Sequence, residues 1–326
     1  MNSKKWRQNF FIIAIMIVVY YSAMNTKVNE VSDPILGNQV TTISHLNDVK
    51  SETELIVYAQ DKNDYRIPVR VEQLNQASII EDIFAIFTTQ QNRLPLGIVS
   101  PLGPEVTLIQ HELNEKVLTL TLSSNAMTYL EEASRAILEC LVHTYTSLEN
   151  IEAVELLVAS QDLTATQRMT QQPLTSEMGV NLKLESLDLS GLKPVTLYFY
   201  KEIEAQQYLV PVTHLIPLKT DAVMYALENL KLGSLSGDYY TQLDPKTTIL
   251  SVEQTKENIL VLNVDEGIYQ SYDEPLVSSA LLRQMKQTLI GLEGIEGVLL
   301  QVNGDEEVYD DKKALVSEVL MSVQEK

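Results

Sequence analysis

Apolar and polar positions along this chain alternate in two recurring ways. Residues 117–122 (VLTLTL) and 259–264 (ILVLNV) change character at nearly every step. That period of two predicts strands with one buried face. Ile79, Ile80, Ile83, Phe84 and Phe87 are instead spaced as one side of a helix, as are Val223, Ala226, Leu227 and Leu230. Gly233 stands where that second helix is expected to end. Longer helices are predicted over about 126–148 and about 276–292, each leading into a short apolar strand. Each half therefore reads strand, strand, helix, strand, strand, helix, strand. The expected class is α+β, a small sheet with two helices on one face in a ββαββαβ-like order.

The two halves are copies of one unit. Residues 147–160 (SLENIEAVELLVAS) and 291–304 (GLEGIEGVLLQVNG) agree at seven of fourteen positions. Upstream, LGPEVTLI from Leu102 parallels LDPKTTIL from Leu243, and LIVY ending at Tyr58 parallels LYFY ending at Tyr200. The period, about 142 residues, is far longer than the roughly 20 to 50 of solenoid repeats, whose units need neighbours to bury a core. Each unit is expected to fold by itself. Between them, TATQRMTQQ has no apolar face and reads as a linker, with some order around PLTSEMGVNLKLES. After the second unit, Asp310 and Asp311 are placed to cap a helix striped by Leu315, Val316, Val319, Leu320 and Val323.

Residues 10–24 (FFIIAIMIVVYYSAM) carry no charge and follow Lys4, Lys5 and Arg7; no acid occurs before Glu30. This reads as a membrane signal with its N-terminus cytoplasmic and the bulk of the chain exported. The run is shorter than the about 20 residues of a spanning helix and also suits a signal-peptide core. Small residues suited to cleavage are scarce, so an uncleaved anchor is favoured over cleavage near Ala23. The parse is anchor 1–24, tether 25–51, first domain 52–163, linker 164–191, second domain 192–309 and terminal amphipathic helix 310–326.

The 326 residues include 24 basic and 44 acidic side chains, a formal net charge of −20. Phosphate neutralisation needs clustered Lys and Arg, so nucleic acid is not an expected partner. The single cysteine, Cys140, precludes an internal disulfide and any multi-cysteine metal site. It lies in ASRAILECLVHTY on a helical face with Ala133, Ile137 and Thr144, so it reads as a buried core residue. His143 is the one nearby base. His45, His111, His143 and His214 lie in different segments and none makes a metal-binding spacing. GDEEVYDD lacks the calcium-loop pattern and reads as a solvated turn, and the glycines of GLEGIEGV are turn glycines. No catalytic residue, cofactor site or metal site is expected. The candidate interface residues are Tyr239 and Tyr240, in a predicted loop, with Leu315 and Val319 on the terminal stripe.

The second unit resembles the GerMN domain of sporulation and spore germination proteins. The resemblance rests on VTLYFY followed by YLVPV, on AVMYALENLKLG, on QLDPKTTILSVEQTKENILVLNVDE and on GLEGIEGVLLQVNG, in order, over residues 194–304. The first unit is a weaker copy, with no glycine directly after its first helix. Tandem units behind an N-terminal membrane signal, with MGVN between them, are similar to a germination-protein layout. That layout often carries a lipid-modified cysteine, which is missing here. The resemblance implies an envelope location and a non-catalytic assembly role in sporulation or germination. The implied partners are other envelope or sporulation-complex proteins, the membrane through the N-terminal segment and, as an open case, further copies of the chain. A cell-wall enzyme or a peptidoglycan- or carbohydrate-binding module is the rival reading.

Overall fold

The computed structural model describes residues 54–74, 78–88, 93–184, 191–234, 237–271 and 273–316. The expected anchor and tether, and Val319 with the rest of the terminal stripe beyond Val316, lie outside them. No helix among the described residues is long and apolar enough to cross a membrane.

The first repeat opens with the antiparallel pair β1 (Glu54–Asp61) and β2 (Arg66–Glu72), then α1 (Ile79–Thr88) and the short β3 (Ile98–Val99). It continues through β4 (Leu108–Asn114), β5 (Val117–Leu122), α2 (Ala126–Tyr145), β6 (Ala153–Ala159) and β7 (Thr166–Arg168). A 3-10 turn, Ser176–Met178, and β8 (Lys183–Leu184) lead to the second repeat, which holds another such turn at Glu266–Ile268. That repeat runs β9 (Leu192–Ile203), β10 (Gln206–Pro217), α3 (Ala222–Leu232), β11 (Ile249–Gln254), β12 (Ile259–Val264), β13 (Leu276–Val277), α4 (Ser279–Leu289), β14 (Gly297–Val302) and β15 (Tyr309–Asp310).

The α+β class and the repetition are as the pattern predicts, but each repeat is built from separate small sheets instead of one. The strand orders are β2-β1-β3 and β4-β5-β6-β7 in the first, and β8-β10-β9, β11-β12-β14 and β13-β15 in the second. No ladder joins β1 and β2 to β4–β7. Side chains join them, since Val57 and Val69 share a core with Phe87, Leu120, Ile137 and Leu156.

The local causes are visible in both copies. In β5, Leu118, Leu120 and Leu122 are buried while the alternate positions are half-exposed, and burying each leucine stabilises by about 1.5–3 kcal/mol. In β12, Leu260, Leu262 and Val264 repeat the arrangement. β5 and β6 run parallel around α2, as β12 and β14 do around α4, because a parallel pair needs a crossover long enough to hold a helix. Asp221 caps α3 by accepting from the amides of Val223 and Met224, and Ser278 caps α4 through those of Ala280 and Leu281. Gly233 ends α3 at φ +62°.

Two sequence expectations change. The polar stretch after Asp162 is an edge strand: β7 pairs with β6, and Leu174 exchanges 2.8 Å backbone bonds with Val154. All three β7 residues are exposed, so the strand leaves no apolar signature. At the other end, residues 310–315 form a turn after β15 and no helix. The Asp310 carboxylate accepts from the amides of Lys312 and Ala314 at 3.0 and 2.7 Å, and Ser279 donates to both Asp310 and Asp311. These acids therefore tie the chain end to the start of α4. Val316 is buried in the second core.

Candidate functional site: the junction between the repeats

Both repeats belong to one compact unit, and a network of buried polar groups lies between them. It begins with the long β9–β10 hairpin, twelve residues in each strand, closed by Glu204 and Ala205 at positive φ. Its far end leaves the second repeat, so that Ile203, Tyr208 and Val210 are part of the first repeat's core. Gly97 marks the closeness of that approach. At φ +83° it lies where a Cβ would be 2.6 Å from Ile203 Cγ2, so a side chain there is strained and must displace that of Ile203.

The segment after the 3-10 turn supplies the join. Asn181 is buried and sits at φ +51°, a region asparagine tolerates better than most residues. Its side-chain oxygen accepts from the Arg66 amide at 2.8 Å, and its Nδ2 donates to the carbonyls of Arg66 and Pro211 at 2.9 and 2.8 Å. One side chain thus bonds β2 of the first repeat to β10 of the second. Its own amide donates to Glu139 at 3.1 Å. Beside it, Val180 and Thr213 exchange bonds of 2.9 Å. Gly179, at φ +73°, leaves no room for a Cβ, which would stand 2.7 Å from Thr213 Cγ2.

Charges close the network. Glu139 on α2 is 1 % exposed; Arg66 Nε and Arg135 Nε each lie 2.8 Å from its carboxylate. Asp61 and Lys201, from opposite repeats and both buried, are 3.4 Å apart. Lys201 also donates to the Asp238 carbonyl at 3.1 Å and lies 4.4 Å over the Tyr65 ring. Burial, with the Asp238 carboxylate as the next cause, pushes the Tyr65 phenol up to about 12. A buried charge is tolerated only when it is paired, and Glu139, Asp61 and Lys201 each have a partner of opposite charge.

The candidate interface residues divide around this region. Tyr239 is 3 % exposed, stacked on Phe199 at 4.5 Å and edge-on to Tyr65 at 6.0 Å, with its hydroxyl bonded to Lys183. It is an internal contact between repeats and offers no free surface. Tyr240 is half-buried and pairs its backbone and ring with Tyr200. Leu315 is half-buried in the turn after β15, bridged to Tyr309, and Val319 lies outside the described residues. The three described residues do not form one exposed surface. What sequence reading missed was Asn181 and Glu139. For Glu139 a signal existed, the i, i+4 spacing from Arg135 on the same helix.

The chemistry available is limited. Burial raises the Cys140 thiol to about 12, leaving it protonated and non-nucleophilic. Burial lowers His143, while a 3.0 Å bond from its Nε2 to the Gly179 carbonyl opposes the shift. His111, His143 and His214 are on different elements, and among the described residues no three His, Cys, Asp or Glu are grouped to hold a metal.

The fold and junction define a tandem α+β protein whose interior polar groups fasten two homologous repeats to each other. The Germane family, described as sporulation and spore germination, matches residues 55–164 and 196–308, and the chain belongs to it. The spore germination protein GerM of Bacillus subtilis (strain 168) is 24 % identical over 234 residues, 69 % of this chain. The match spans 64 % of that relative's length. Among solved structures, the tandem GerMN domains of the sporulation protein GerM from Bacillus subtilis superpose with a TM-score of 0.70. They cover 81 % of this chain and 95 % of that one at 22 % identity, a likeness of fold.

Proposed function

We propose that this protein is a non-catalytic, membrane-tethered assembly component acting outside the cytoplasmic membrane in sporulation or spore germination. The observation that carries this reading is the junction. Its buried groups are spent on fixing two repeats as one body, which suits a part that presents surfaces at set positions. Family membership supports the process, and the uncharged run after Lys4, Lys5 and Arg7 supports the tether.

The reading is tested in a strain that lacks this chain, by counting heat-resistant spores and their germination beside vegetative growth. Leu262, 1 % exposed in β12, is the core probe. Leu262→Ala leaves a cavity, costs about 2–5 kcal/mol and is expected to reduce spores without slowing growth. Cys140→Ser and His143→Ala are expected to keep substantial function. Total loss of spores from His143→Ala in a folded, exported protein would overturn the non-catalytic reading.

A further inference from the structure

β4 is an outer strand of its sheet. The turn that joins it to β5 is Glu115 and Lys116, at φ +45° and +66°, so Asn114 and Val117 are the bonded pair that closes the hairpin. Alternation along the antiparallel ladder then turns the peptide groups of His111 and Leu113 outward. No described residue bonds to that side of them. Ile109 and Leu113 are 42 % and 45 % exposed, unusual for large apolar side chains on a strand already at an edge.

Beside this edge runs a groove of about 350 Å³, walled by Phe84, Ala85 and Thr88 of α1 and by Val106 and Ile109, with Glu81 at its margin. Thr88 and Pro104 continue it into a second hollow of about 420 Å³ that reaches Tyr129. No lysine or arginine lines either one. Glu112 lies exposed on the strand. Glu105 accepts a hydrogen bond from the Tyr129 hydroxyl, which holds its carboxyl below the usual range and keeps it charged.

The second repeat has the same edge but a different surface. β11 carries a register shift between Ile249 and Ser251 where β4 carries one between Leu108 and Gln110. Yet Lys246 stands in the place of Glu105, and Gln254 in the place of Leu113, where its amide is tied to the Gly294 carbonyl at 2.7 Å. β11 keeps an exposed Leu250 and Glu253 in the places of Ile109 and Glu112, so it differs from β4 in the Lys246 charge and in the tied Gln254.

The geometry points to the outer edge of β4 and the groove beside α1 as the docking site for an extended, lysine- or arginine-bearing segment of a partner protein, which adds to the sheet as a further strand. Outward peptide groups supply the ladder, the groove takes apolar side chains from every second position, and the carboxylates select basic residues between them. A second copy is a poor occupant. Each copy carries a net −20, so two such acidic edges repel. This inference rests on the assembly reading and deepens it by naming the surface and the chemistry of the partner.

The test uses the full chain in detergent micelles and a fluorescent peptide of alternating valine and lysine, read by anisotropy. The peptide is expected to saturate, and its valine–glutamate counterpart to bind at least about tenfold more weakly. The double change Glu81→Lys with Glu112→Lys is expected to weaken binding by about tenfold or more, and Glu253→Lys on β11 to leave it within about twofold. Methylating alternate peptide amides, which removes donors and keeps charge, is expected to abolish binding. Absent binding, equal binding by the double variant, or full binding of the methylated peptide would overturn the proposal. So would a dimer of the chain alone that Ile109→Lys dissolves, which would assign the edge to a second copy. If the peptide binds as expected but spores form normally without the chain, the assembly reading falls and the docking surface stands.

Discussion

At the scale of single residues, His143 shows how burial couples to stability. The ring is held against the Tyr58 ring at 5.2 Å, and Glu139 and Arg135 are the charged groups that act on it, in opposite directions. Desolvation is the largest effect and favours the neutral ring, so the folded chain holds His143 below the ordinary value near 6.5. The unfolded chain then takes up a proton first as pH falls. Stability from this group is present above about 6.5 and is lost as pH drops through the lowered folded value. Urea unfolding at pH 7.5 and at successive steps toward pH 5 is expected to show that decline, and His143→Gln is expected to flatten it. An unchanged slope in the variant would assign the pH dependence to other groups. Cys140 works in the opposite sense: its raised thiol removes stability only as pH rises past about 9 toward about 12.

At the scale of elements, legibility in the sequence followed burial. β5 and β12 could be read because one face of each is buried and the other is not, and α1 because Ile83, Phe84 and Phe87 line a single face. β7 could not, since an edge strand exposed at every residue has no period to show. The start of the terminal helix was read too early, because Asp310 bonds to amides two and four residues ahead, a pattern that caps a turn as readily as a helix, and the residues beyond Val316 lie outside the described ones. The β9–β10 hairpin was read as two strands of the second repeat, and alternation along it could not reveal that Tyr208 and Val210 serve the first. The candidate site shared that fate. Asn181 ends the MGVN segment noted in the sequence, but only the fold shows that it bonds to Arg66 and Pro211. The hairpin has a measurable consequence. A first repeat cut off before residue 164 lacks β7 and Leu174, which pair with β6, and also Ile203, Tyr208 and Val210, each worth about 1.5–3 kcal/mol when buried. It is expected to unfold at a clearly lower urea concentration than the same repeat in the full chain. Equal midpoints would mean that the hairpin contributes nothing to the first core.

At the scale of the whole molecule, the sequence suggests two independent folding units, whereas the junction predicts one. Lys201 pairs with Asp61 across the repeats, and the hairpin enters the first core. Opening either repeat would expose groups that the other keeps satisfied, at a cost of about 1–3 kcal/mol for each buried polar group left without a partner. Coupling of that size, summed over several groups, is comparable to the stability of a typical domain, about 5–15 kcal/mol. The full chain is therefore expected to melt in a single calorimetric transition whose van't Hoff and calorimetric enthalpies agree. Asn181→Ala removes three side-chain bonds at the join, two to Arg66 and one to Pro211, and leaves both cores untouched. It is expected to split that transition, so that the first repeat, whose core depends on the hairpin, melts below the second. A single sharp transition in the variant would show that apolar contact from the hairpin couples the repeats without the polar join, while two transitions in the unaltered chain would show that the repeats are independent after all.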